Sequence, residues 1–438
     1  MLTLTPAAPV TQSERIPVLD SLRGMAILGI LIMNIVAFSG SVLLGSDQSI
    51  NNETGLNYYL WYIMYGVFNG TQRAFFSILF GAGIILFISR QEKRLDGLAP
   101  ADYFFRRQLW LILFSLIDVY LLLWDGDILL EYACFGLLLF VFRKLPPKTL
   151  LIAAGICLVF AVARDNRDLY KQKTLISKGE ALAAADTTQI KLTPLDKEAI
   201  GKMEGIKKRS TQESKLAHVA EDNIHGRGDY ATVYEYRVDS YIHFMNALMY
   251  LQLWDVLTCF FLGMALFKTD ILTGKASIKV YAGMALIGLP LGIFLSYLRI
   301  NNSITYNFNG FEIAKHTYMQ IYQIDRILRS LGLLGVVMLM YRSGWFKGFF
   351  TILAPVGQMA FTNYLGQSLI CGLIFNGFAF GLFGMLERYE TYFVVLGVWV
   401  FQIIFSNIWM RFFLSGPLEW AWRSLTYWKV QPLRRASL

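Results

Sequence analysis

Apolar residues in this chain fall in blocks of about 18–25, close to the run of about 20 helical residues that a hydrocarbon core about 30 Å thick demands. No other property limits the fold so strongly. Of all residues 55% are hydrophobic and 16% charged, against about a quarter charged in soluble globular proteins. The alternating ten-residue strand pattern of a β-barrel is absent. The sequence therefore predicts an all-α fold: a polytopic membrane helical bundle of about ten transmembrane helices. Spans are expected near Met25–Leu44, Thr71–Ser89, Leu109–Trp124, Ile128–Phe142, Thr149–Ala163, Tyr241–Phe267, Val280–Leu298, Tyr318–Tyr341, Pro355–Phe380 and Tyr392–Phe413.

Positive charge orients such a bundle, because loops rich in Lys and Arg stay in the cytoplasm. Alternate connections hold Arg90, Lys93, Arg94, Arg106 and Arg107, then Arg143, Lys144 and Lys148, then Lys268, Lys275, Lys279, Arg342 and Lys347. The loop Gly45–Asn57 and the turn Asp125–Asp127 hold no Lys or Arg. Both termini are thus expected in the cytoplasm of a bacterial inner membrane, with residues 164–240 outside. The net charge of +9 mostly reflects the inner basic belt and gives no reason to invoke nucleic acid. Glu14 and Asp20 precede the first apolar run, which fits an uncleaved span better than a signal peptide. Cys134, Cys157, Cys259 and Cys371 lie in apolar segments and read as core residues, not disulfides or metal ligands.

Four regions follow. Residues 1–163 form a first membrane half of about five spans, 241–415 a second, and 416–438 an amphipathic cytoplasmic tail. Between the halves, residues 164–240 make a polar insertion with fourteen Lys/Arg against thirteen Asp/Glu. Within it Thr193-Pro194 reads as a helix start, with Gly226 as the stop beyond His225. Asn69-Gly70 is a breaker, so Leu56–Phe68 is expected as a separate aromatic helix at the interface. The two halves show no internal repeat.

Ionisable groups inside apolar segments carry the functional signal, since each costs roughly 2.5–3.5 kcal/mol at a helix centre on insertion scales. Asp325, Arg326 and Arg329 lie in Tyr318–Tyr341. Asp325 and Arg329, four apart, can pair, which leaves Arg326 turned away and able to hold an anionic group. Arg73 needs an acidic partner if its helix is continuous with Leu56–Phe68; Asp127 or Asp325 would serve. Asp20 and Arg23 share a helix face, and Arg23 suits a phosphate of a donor. Asn34 lies in the same span. Asn363 and Gln367, one turn apart, could line a shared cavity. Asp127 and Glu131 open the fourth span, as caps or as proton acceptors. His316 stands before the charged span and is the first-choice base, Glu131 the second. Glu419 and Arg423 flank Trp420 and Trp422 in an amphipathic anchor that could cover a donor entrance.

Several motifs recur in order: Leu19-Asp20-Ser21-Leu22-Arg23-Gly24, with Gly29-Ile30-Leu31 and Asn34 after it; Phe76-Ser77-Ile78-Leu79-Phe80-Gly81-Ala82-Gly83; Gly126-Asp127-Ile128-Leu129; Thr362-Asn363-Tyr364-Leu365-Gly366-Gln367-Ser368; and Gly416-Pro417-Leu418-Glu419-Trp420-Ala421-Trp422-Arg423. Together they resemble the YeiB-like family of bacterial inner-membrane proteins, a domain of unknown function. That family is similar to the transmembrane acyltransferase superfamily, which includes heparan-α-glucosaminide N-acetyltransferase. The resemblance implies transfer of an acyl, typically acetyl, group from a cytoplasmic donor such as acetyl-CoA to a small-molecule or glycan acceptor reached from the other side. It implies no permanently bound cofactor and no metal. The lysosomal enzyme has a histidine in the loop after its first span; here Gly45–Asn57 offers Asp47 and Glu53 but no His. The competing expectation is a secondary transporter that uses the same charges for substrate or proton coupling.

Overall fold

The computed structural model describes residues 15–185 and 192–435, so Glu14 lies outside the described residues. Those residues form a helical bundle, and among them the one bridge of extended backbone joins Phe413 to Arg434. Six helices are long and apolar enough to cross a membrane: Pro17–Ser39, Gly55–Arg94, Pro147–Ala183, Met249–Lys268, Ile278–Thr305 and Arg388–Phe412. Leu129–Phe142 and Ala360–Phe375 are shorter apolar helices. Ala99–Tyr120 and Tyr322–Ser343 are helices over two further segments expected to span.

Glycine sets how closely the helices meet. A Cβ on Gly357 would fall 1.7 Å from the Asp20 carbonyl oxygen, and one on Gly24 would fall 2.4 Å from that of Leu353. The first helix therefore lies backbone to backbone against Lys347–Gln358. Gly81 and Gly263 do the same for Thr71–Arg94 against Tyr230–Lys268, where a Cβ would come within 2.4 Å of Phe260 O and 1.9 Å of Ile78 O. Much of the first two sequence motifs thus serves close approach, because only glycine tolerates such contacts.

The aromatic segment ends where expected. Gly55–Ile63 is an α-helix, Met64–Phe68 a π-turn, and Gly70 takes φ +71° before Thr71–Arg94 begins. In the polar insertion Thr193 caps Pro194–Arg209 through a capping box with Asp196. That helix stops at Arg209, short of His225, because Thr211 caps a second helix, Gln212–Gly226. The helices on either side run straight through the insertion's ends: Pro147–Ala183 has 37 residues and Tyr230–Lys268 has 39.

Candidate functional site

Four arginines from three parts of the chain meet at the end of the bundle where the first helix begins. Arg15 precedes Pro17–Ser39, and Asp20 and Arg23 occupy its first two turns, with Arg23 Nη1 3.3 Å from Asp20 Oδ1. Gly83 faces Arg23, and a Cβ there would lie 3.2 Å from Nη2, so bare backbone leaves room for the guanidinium. The helix Ala99–Tyr120 brings Arg107, whose guanidinium carbon sits 3.6 Å from the Trp422 ring centre. Pro417–Tyr427 closes the ring with Glu419, Trp422 and Arg423. These side chains surround a cavity of about 210 Å³, walled further in by Phe76, Phe80, Phe104 and Phe361 and reaching Leu129 and Tyr364.

The charge of this cavity is unbalanced. Four guanidiniums face two carboxylates, Asp20 and Glu419. Asp20 already serves Arg23 and, at 3.8 Å, Arg15. Glu419 caps the helix Ala360–Phe375: it accepts from Phe361 N at 2.7 Å, Thr362 N at 3.0 Å and Thr362 Oγ1 at 2.6 Å. A carboxylate at a helix N-terminus is favoured in this way. Burial nonetheless pushes the Glu419 carboxyl above its ordinary value, against those hydrogen bonds. Arg107 and Arg423 have no carboxylate oxygen within 4.0 Å among the described residues. Burial lowers the affinity of Arg15 and Arg423 for their protons more than the nearby carboxylates raise it. An anion in the cavity would supply the missing counter-charge.

At the other end of the bundle the buried charges answer one another. Arg326 is not free, as its sequence position suggests, but donates to Asp255 on Tyr230–Lys268 and to Gln323 at 2.9 Å. Asp255, only 3% exposed, also takes Arg73, which bonds Gln252 as well. The partner of Arg73 is thus neither Asp127 nor Asp325. Asp325 pairs with Arg329 as expected and also with Arg299, at 3.1 Å. Arg329 Nη1 donates to Val67 O at 2.9 Å and Gly66 O at 3.3 Å. Those carbonyls belong to the π-turn, whose irregular ladder leaves acceptors to fill. The three charges lie in the first two turns of a helix that starts at Tyr322, so they sit toward its end and not at mid-span.

His316 does not reach the cavity. It ends a separate short helix, Gly310–His316, cut from the charged helix by the non-helical residues 317–321. Its exposed ring stacks on Tyr306 at 4.8 Å and lies 3.4 Å from Glu312. Asn363 and Gln367 do not line this cavity either. Asn363 donates to Val356 O and Ser406 Oγ, Gln367 to Ile27 O and Gln402 Oε1, and Gln402 to Asn363 O, all within 3.1 Å. This is an interhelical lattice that satisfies buried amides. Asn34 is half-buried and away from the cavity wall.

Asp127 precedes its helix, which starts at Leu129, and caps it: it accepts from Leu129 N at 3.1 Å, Leu130 N at 3.3 Å, Ser115 Oγ and, at 3.1 Å, Tyr364 OH. Glu131 is 3% exposed, and its Oε2 has no hydrogen-bond partner among the described residues. In the segment Gly45–Asn57, Asp47 pairs with Lys215 at 2.6 Å and Glu53 with Arg388 at 2.7 Å. The sequence reading missed Asp255, Arg15, Arg107, Gln108 and Tyr364. Asp255 was the most accessible of these to sequence, as the one acidic residue in the apolar run Met249–Lys268.

Fold and cavity together define a multi-pass helical membrane protein with an arginine-lined chamber at one end. Residues 266–429 match the family model described as "Protein of unknown function (DUF418)". Over its full length the chain is similar to "Uncharacterized protein YxaH" of Bacillus subtilis, 29% identical with 98% of each chain covered. It is also similar to "Uncharacterized protein YeiB" of Escherichia coli, 28% identical over 94% of this chain and 96% of that one. These matches bear out the YeiB-like resemblance of the motifs. No solved structure gives a significant match.

Proposed function

We propose that this protein is an inner-membrane acyltransferase that takes an anionic acyl donor, of the acyl-CoA kind, into the arginine-lined cavity and passes the acyl group to an acceptor within or beyond the bilayer. The observation that carries this reading is the cavity itself: four guanidiniums, two of them with no carboxylate oxygen within 4.0 Å among the described residues, over an aromatic floor. Guanidinium forks suit phosphate oxygens, and the apolar wall suits an acyl chain. The orientation read from positive charge puts this mouth in the cytoplasm, where acyl-CoA is found.

In the step itself an acceptor hydroxyl or amine attacks the thioester carbonyl carbon. A C–O or C–N bond forms, the C–S bond breaks, the acceptor's proton goes to a base and the thiolate leaves. Three buried carboxyls lie near the inner end: Asp127, Glu131 and Asp118, whose two oxygens have no hydrogen-bond partner among the described residues. Asp127 already accepts four hydrogen bonds, whereas Glu131 keeps an oxygen without a partner among the described residues. We therefore assign proton uptake to the carboxyls with free oxygens, Glu131 and beside it Asp118, and to Asp127 the positioning of Tyr364, which lines the cavity.

The test is calorimetric titration of acetyl-CoA into the full chain in lipid nanodiscs. Wild type is expected to bind, and Arg23→Ala and Arg423→Ala each to weaken binding by about tenfold, roughly 1.4 kcal/mol. Absence of binding, together with uptake of a solute by proteoliposomes, would overturn the reading in favour of transport.

A further inference from the structure

Gln108 is a polar group that neither the ion pairs nor the helix caps use. It follows Arg107 on Ala99–Tyr120 and lines the same cavity, yet only 1% of it is exposed. Its Oε1 has no hydrogen-bond partner among the described residues. The amide lies flat on Gly136, where a Cβ would stand 3.3 Å from Oε1, so the facing helix offers it bare backbone and no side-chain donor. Around it the wall is Phe104, Leu111 and Leu129. Arg107 cannot turn to it, because neighbouring helical positions point about 100° apart and its guanidinium is stacked on Trp422. An amide oxygen buried without a donor loses its hydration with nothing in return, whereas an apolar side chain of the same shape carries no such cost. The chain keeps a glutamine where leucine would pack more cheaply.

Resting on the reading of the cavity as an anionic-donor site, we infer that Gln108 reads a hydrogen-bonding group in the uncharged stretch of the ligand, an amide or hydroxyl set between its anionic end and its acyl end. A buried site built to pair such a group rejects analogues that lack it, because its own polar atoms are then left unpaired. Arginines recognise the charge and aromatic rings hold the apolar part; neither separates an acyl chain on a polar linker from a plain alkyl anion. Gln108 supplies that distinction.

Two probes test it on the full chain in nanodiscs: acetyl-CoA, which carries amides between phosphate and thioester, and hexyl phosphate, which has an anion and an alkyl chain but no amide. Wild type is expected to prefer acetyl-CoA. Gln108→Leu should weaken acetyl-CoA at least tenfold and leave hexyl phosphate unchanged or tighter. Gln108→Met, closer in shape, should repeat the pattern, and an unaltered thermal midpoint in either variant shows that the fold is intact. Equal losses with both probes, or no loss with either, would overturn the inference while the cavity reading stands. If wild type binds neither probe, the cavity reading falls and this inference with it.

Discussion

Arginines gather at both ends of this bundle, and the two groups are solved in opposite ways. At one end Arg73, Arg326, Arg329 and Arg299 share Asp255 and Asp325, and Tyr322 lies between them with its ring 5.2 Å from Arg299 and 5.6 Å from Arg326. At the other end Arg15, Arg23, Arg107 and Arg423 surround open space, and two of them have no carboxylate oxygen within 4.0 Å among the described residues. The first group is the more deeply buried and the more conspicuous in sequence. The second is the one with room for a ligand. Both ends set four arginines against two carboxylates. At the first every arginine reaches a carboxylate within 4.0 Å; at the second Arg107 and Arg423 do not among the described residues, and that unmatched charge beside a cavity marks where something else can bind.

The sharpest way to break this contrast is at Asp255. Asp255→Asn keeps the shape but leaves two buried guanidiniums without their carboxylate, which by comparison with other buried pairs costs about 3–5 kcal/mol. A large fall in thermal midpoint in detergent is expected, partly recovered when Arg326 and Arg73 are also replaced by Met. If Asp255→Asn is as stable as wild type, the two ends do not differ as described. The arginines of the cavity should behave in the reverse manner, with ligand affinity lost and stability kept. A smaller effect is expected at Gly70, where φ is +71° and a Cβ would stand 2.2 Å from the Tyr322 hydroxyl. Gly70→Ala should cost at least about 1–2 kcal/mol, the penalty of a left-handed residue, read from the same melting curves. His316→Ala should shift stability by no more than about 0.5 kcal/mol, as exposed substitutions do, and leave acetyl-CoA binding unchanged. A loss of binding there would return His316 to the site.

Helix positions were legible because bilayer thickness dictates the length of an apolar run, and Thr193, Gly70 and the Asn69 break follow from local backbone preference. Pairings across helices were not. Asp325 and Arg329 could be matched because four residues on one helix fix their distance, whereas Asp255 lies 71 residues from Arg326 and only the bundle's arrangement brings them together. The same holds for the cavity: Asp20, Arg23, Glu419 and Arg423 were each visible as local pairs, but nothing in their spacing says that Pro417–Tyr427 docks beside the first helix. His316 failed for a local reason. The run from Gly310 to Ser343 is broken at residues 317–321, and a distance counted along one continuous helix does not apply.

The two long helices give the molecule height as well as width. At 37 and 39 residues they reach about 55 and 58 Å at 1.5 Å per residue, nearly twice the thickness of the hydrocarbon. They rise from the bundle as a stiff mast with the small helices of residues 194–226 gathered at its side. Each long helix exceeds the thickness of a hydrocarbon core by some 25 Å, so a single helix can serve both as a span and as the support of the polar insertion.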